Sequence, residues 1–160
     1  MFKISRVSAH CDIPCKIYDP AAAQYAVLSV IRLIDLINDI DESNLNKKNI
    51  AEISRLTSQK EEHAQIAKKE VITIWGDYFK EPQISKFPEV HNLVHSIMMS
   101  GSKSKQTLDR ANAEDLLDKV NQFAEIFWAT KDIETEKKIS PYPPNMPVIC
   151  PKLELSLIHI

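Results

Sequence analysis

Near the N-terminus the run HCDIPC, His10 to Cys15, gathers one imidazole and two thiols. Such donors point to a metal or redox centre. A thioredoxin-type motif has two residues between its cysteines, whereas Asp12, Ile13 and Pro14 intervene here. Haem attachment needs a histidine after the second cysteine, not before the first. A tetrahedral zinc site needs a fourth ligand, and Cys150, the other cysteine, lies in a proline-rich tail. A disulfide across the Pro14 turn remains an option, one disfavoured where thiols stay reduced. A cut between Ala9 and His10 changes the donor set. His10 would offer a free amine and an imidazole, Cys11 its backbone nitrogen and a thiolate, and Cys15 a second thiolate. Two nitrogens and two sulfurs in one tight loop suit a square-planar d⁸ ion with the imidazole as axial ligand, which points to Ni(II) or Cu(II). An anionic amide and two thiolates also bring Ni(III)/Ni(II) cycling within reach.

These residues need a scaffold. The chain has 160 residues, enough for one domain with a real core. Its net charge of −2 implies no nucleic-acid partner. Glycine occurs only at Gly76 and Gly101, too few for many hairpins, which favours helices. The leader MFKISRVSA lacks a secretory apolar run, and no stretch is expected to reach membrane-spanning length. A cytoplasmic protein with reduced thiols is expected.

Four helices are predicted. The first opens after Asp19 as cap and Pro20 at its first position. It is apolar nearly all round, through Val27, Val30, Ile34 and Ile37 on one stripe and Leu28, Ile31, Leu33 and Leu36 beside it. The second runs from about Asn46 to Phe79, with a polar, solvated middle, SQKEEHAQIAKKE, until Pro82 and Pro88 break it. A shorter third carries Val90, Leu93, Val94 and Ile97, and SGSKSK then reads as a flexible loop. The fourth repeats Leu116, Leu117, Val120, Phe123, Ala124, Phe127 and Trp128. The fold class is therefore all-α, an antiparallel four-helix bundle with an N-terminal metal-binding hook. Residues 19–132 are expected to be the bundle. Residues 133–160 are expected to be an unstructured or artefactual tail: KISPYPPNMPVICP has no periodicity, and LSLIHI looks like translated sequencing-adapter DNA.

HCDIPCKIYDP resembles the nickel hook of nickel superoxide dismutases, H-C-x-x-P-C-G-x-Y-D-P. The resemblance continues at WGDYFK (Trp75 to Lys80), FPEVHNLV (Phe87 to Val94) and IFWATK (Ile126 to Lys131). It implies a homohexameric four-helix bundle, made with a leader, residues 1–9, that a maturation peptidase removes to expose a hook at 10–18. One nickel ion per subunit would convert superoxide to dioxygen and hydrogen peroxide. Carried onto this chain, His10 supplies the terminal amine and axial imidazole, Cys11 its amide nitrogen and thiolate, and Cys15 the second thiolate. Pro14 follows a cis peptide that shapes the hook, and Asp12 helps pin it. Tyr18 and Tyr78 flank the substrate approach, gate it and hold ordered water.

The chain departs from the pattern at three places. Lys16 stands where the family has glycine. It adds a positive charge that could favour superoxide arrival. Ala26 and His63 stand where well-known members place a glutamate and an arginine that orient the axial imidazole. His91 and His95, spaced i, i+4, lack a carboxylate partner and read as ordinary surface or core histidines. Trp75, Phe79, Phe127 and Trp128 read as a core aromatic cluster. The competing functions are a non-catalytic nickel or copper carrier on the same hook, and a helical bundle whose cysteine pair is a redox switch.

Overall fold

The computed structural model describes residues 17–43 and 45–153. Its elements are α1 (Ala21–Asn38), α2 (Lys47–Asp77), α3 (Glu81–Lys86), α4 (Val90–Gln106), α5 (Arg110–Ala129), β1 (Thr135–Ile139) and β2 (Pro147–Pro151). The four long helices form the expected bundle, with α1 against α2 and α5, and α4 against α2 and α5. Contacts between helix ends fix the directions. Arg110, opening α5, pairs with Asp35 near the end of α1 at 3.1 Å. Tyr18, just before α1, packs on Tyr78, just after α2. One end of the bundle therefore gathers the start of α1 and the ends of α2 and α5.

Side chains ahead of three helices satisfy their first N–H groups, Asp19 as the sequence suggests. The Asp19 carboxylate accepts the Ala21 N–H at 2.8 Å. Asn46 accepts from Asn49 N–H at 3.0 Å, and Asp109 from Ala111 N–H at 3.0 Å. Pro82 sits in the first turn of the short α3, where its missing N–H costs nothing.

The core runs through Val27, Val30, Ile31 and Ile34 of α1, Val71 and Ile74 of α2, Val94 and Ile97 of α4, and Leu116, Val120, Phe123 and Phe127 of α5. Each such side chain contributes roughly 1.5–3 kcal/mol on burial. Contrary to the sequence expectation, α1 is long and apolar enough to cross a membrane, with a mean hydropathy of 1.3 over 18 residues. Its apolar residues are instead used by the bundle: Val27, Val30, Ile31 and Ile34 have no exposed surface.

Three further expectations are corrected. SGSKSK is not a loop but the last turns of α4. A tertiary contact overrides its composition: the Lys60 ammonium donates to the carbonyls of Ser104, Lys105 and Thr107 at 3.1, 2.7 and 2.8 Å. These carbonyls belong to the group that a helix end leaves without intrahelical partners. Gly101 is there for close approach, since a Cβ would lie 2.8 Å from Lys68 Cγ. Second, the polar middle of α2 is not wholly solvated, because Lys60 is only 2% exposed and Ala64 and Ala67 are fully buried.

Third, the segment read as an unstructured tail holds an antiparallel hairpin, with Thr135 opposite Pro151 and Ile139 opposite Pro147. Its prolines stand at the ends of β2, where a missing N–H is tolerated. Val148 and Ile149 are buried, 6% and 5% exposed. Gln24 of α1 donates to the Ile149 carbonyl at 3.1 Å and to Asn121 of α5 at 2.8 Å, and Asn121 donates to the Pro147 carbonyl at 2.9 Å. The hairpin thus covers flanks of α1 and α5, and this explains part of the excess apolar surface of α1.

Candidate active site

The site expected from the sequence divides into two parts. His10, Cys11, Asp12, Pro14, Cys15 and Lys16 lie outside the described residues. Tyr18 and Tyr78 lie within them and meet, with ring centroids 6.2 Å apart and planes inclined by 51°. The half-turn between α2 and α3 aims Tyr78 across the bundle end. Its ring also packs on Phe127 at 5.0 Å and edge-on to Phe79 at 5.4 Å. Phe79 and Phe127 are buried; Trp75 and Trp128 are packed against the core and partly exposed. The aromatic cluster is thus core on one side and the wall of the bundle end on the other.

Two residues of this end were not assigned roles from the sequence. The Tyr78 hydroxyl lies 2.6 Å from Thr130 Oγ1. The Lys131 ammonium stands 4.7 Å above the Tyr78 ring centroid and 5.1 Å from that of Phe127. A cation over a ring face is attracted by the ring quadrupole and stays available to solvent. Both residues belong to the IFWATK stretch, so position was visible in sequence but not the partner.

The departures at positions 26 and 63 take structural form. Ala26 is 4% exposed and has only a methyl group to offer, so it cannot orient an imidazole. His63 Nδ1 faces the Gln59 carbonyl at 2.8 Å, which puts the proton on that nitrogen. His63 precedes Tyr78 by fifteen residues of helix, about 22 Å of rise, so within one chain it does not reach the tyrosine end. It lines a groove of about 420 Å³ with Tyr25, Arg32, Gln59 and Tyr142. His91 accepts a hydrogen bond from Trp75 Nε1 at 3.0 Å, and the rings meet edge to face.

Among the described residues, no group of three or more His, Cys, Asp or Glu side chains is placed to hold a metal ion. His10, Cys11 and Cys15, the donors expected from the sequence, precede Tyr18 in the chain and lie outside the described residues. A helical bundle with a tyrosine-lined end, preceded in the chain by a His-Cys-Cys segment, fits a class of redox metalloprotein.

Comparison with known proteins narrows that class. A sequence model described as nickel-containing superoxide dismutase matches residues 5–131. Superoxide dismutase [Ni] of Streptomyces coelicolor is 38% identical over 125 residues, 78% of this chain and 90% of the relative. Superoxide dismutase [Ni] of Streptomyces seoulensis is 36% identical over 126 residues, 79% of this chain and 91% of the relative. A native nickel superoxide dismutase structure superposes with a TM-score of 0.68 at 36% identity, covering 77% of this chain and 99% of that one. The chain belongs to the nickel-containing superoxide dismutase family. The hairpin at 135–151 lies beyond the matched residues.

Proposed function

We propose that this chain is a superoxide dismutase whose nickel, one ion per subunit, is held by His10, Cys11 and Cys15. Nickel held by these residues would supply one-electron Ni(III)/Ni(II) chemistry, through which one superoxide gives up an electron to become dioxygen and a second takes it up with two protons to become hydrogen peroxide. The chain's own groups do the rest. The thiols must be deprotonated to act as ligands, so binding nickel releases protons. Cleavage after Ala9 frees the His10 amine, Asp12 and Pro14 hold the loop, and Tyr18 and Tyr78 line the approach and order water. Lys131, and Lys16 beside Cys15, set positive charge near the path of an anionic substrate.

The observation that carries this reading is the contact of Tyr18 with Tyr78 at 6.2 Å. Tyr18 follows Cys15 closely in sequence, and its packing on Tyr78 supports an approach lined by both tyrosines at the aromatic end of the bundle. Family membership disfavours a non-catalytic carrier. A homohexamer, a maturation peptidase and a cytoplasmic site of action complete the proposal, since reduced thiols are needed before nickel loads. The test is to purify the native protein, read its N-terminus and bound metal by mass spectrometry, and measure superoxide decay by pulse radiolysis. A nickel-loaded, active form that still carries Met1 to Ala9 would overturn the ligand assignment.

A further inference from the structure

The hydroxyl of Tyr78 has a fixed polarity, and a proton count reveals it. Thr130 caps the end of α5. In an unbroken helix the Phe127 carbonyl would receive the Lys131 N–H, but that N–H turns to the Trp128 carbonyl at 3.0 Å. The Thr130 hydroxyl takes its place, donating to the Phe127 carbonyl at 2.6 Å. A threonine hydroxyl has one proton, and a carbonyl has none to give. The 2.6 Å contact between Tyr78 Oη and Thr130 Oγ1 therefore has Tyr78 as donor and Thr130 as acceptor.

The geometry points to Thr130 as a positioning residue for the dismutation reaction: it draws the Tyr78 proton towards α5 and leaves Tyr78 as a hydrogen-bond acceptor at the active end. Superoxide is an anion and accepts hydrogen bonds only. Tyr78 so oriented does not donate to it directly. Tyr78 instead receives a hydrogen bond from a water and turns that water's other proton towards the anion. The Lys131 ammonium over the Tyr78 ring, 4.7 Å from its centroid, holds the ring face from the other side. This rests on the reading of Tyr18 and Tyr78 as the lining of the substrate approach, and the experiment separates the two.

The full-length, nickel-loaded enzyme is compared with Tyr78→Phe, Thr130→Val, Thr130→Ser and the Tyr78→Phe/Thr130→Val double variant at matched nickel content. Tyr78→Phe and Thr130→Val should each lower the second-order rate constant about three- to tenfold, the weight of one neutral hydrogen bond. Thr130→Ser, which keeps the hydroxyl, should restore the rate. The double variant should be no slower than the slower single one, because both remove the same interaction. A normal rate in Thr130→Val, an equal loss in Thr130→Ser, or additive losses in the double variant would overturn the role of Thr130. An unaffected Tyr78→Phe would instead overturn the tyrosine-lined approach itself. Should Thr130→Val fail to fold, wild-type NMR decides. The Tyr78 hydroxyl proton should exchange slowly and show a nuclear Overhauser contact to the Thr130 methyl, and a fast-exchanging hydroxyl without that contact overturns the assignment.

Discussion

Lys60→Met removes an ammonium and keeps the length of the buried stem. In the wild type that ammonium serves three carbonyls at the end of α4, at 2.7–3.1 Å. Each hydrogen bond to a charged donor is worth about 1.5–3 kcal/mol. Methionine offers these carbonyls no donor at all, and a buried acceptor left unpaired costs about 1–3 kcal/mol, so Lys60→Met should lose about 2–4 kcal/mol. Urea unfolding should show a lower midpoint with little change in slope, and hydrogen exchange should quicken first at residues 103–107. Lys60 precedes Tyr78 by eighteen residues, about 27 Å along α2. The rate at 25 °C with matched nickel should therefore stay within about twofold of wild type. The pH dependence has a definite sign. Burial pushes Lys60 below the ordinary 10.5, with nearby Glu61 opposing weakly. Between its folded value and 10.5 the unfolded chain binds more protons, so wild-type stability rises with pH across that window. Lys60→Met should lose that rise. An unchanged midpoint, or faster exchange spread evenly over the bundle, would refute the idea that Lys60 holds the end of α4.

Cys11→Ser and Cys15→Ser should each abolish nickel retention and dismutation, because a hydroxyl is too weakly acidic to replace a thiolate; metal analysis and pulse radiolysis check both. Lys16→Glu should lower the second-order rate constant and flatten or invert its dependence on ionic strength, since exposed charges are screened over about 10 Å at 0.1 M salt. Ile149→Asp places a carboxylate where β2 packs on α1 and α5, and should lower stability by about 3 kcal/mol or more or detach the hairpin, read by thermal unfolding and by exchange at Gln24 and Asn121. An unchanged melting temperature there would restore the view of residues 133–153 as dispensable.

Much of this protein was legible in the chain itself. Apolar residues at helical spacing in α1 and α5, and the Asp19 cap before α1, act over a few residues, so their structure follows from local sequence. The donor chemistry of His10, Cys11 and Cys15 is legible for the same reason: it depends on residue type and short spacing. What tertiary structure decided were the features held by distant partners. SGSKSK has loop composition, yet it is helical because Lys60, some forty residues away, satisfies its carbonyls. A proline-rich segment forms a hairpin that docks on the bundle because Gln24 and Asn121 donate to its backbone carbonyls. Tyr78 becomes an acceptor at the bundle end because Thr130, fifty-two positions on, has spent its proton on Phe127. Hydrogen-bond direction, burial of a lysine and the docking of a short hairpin depend on groups that folding alone brings within 3 Å or so, and no pattern along the chain carries that information.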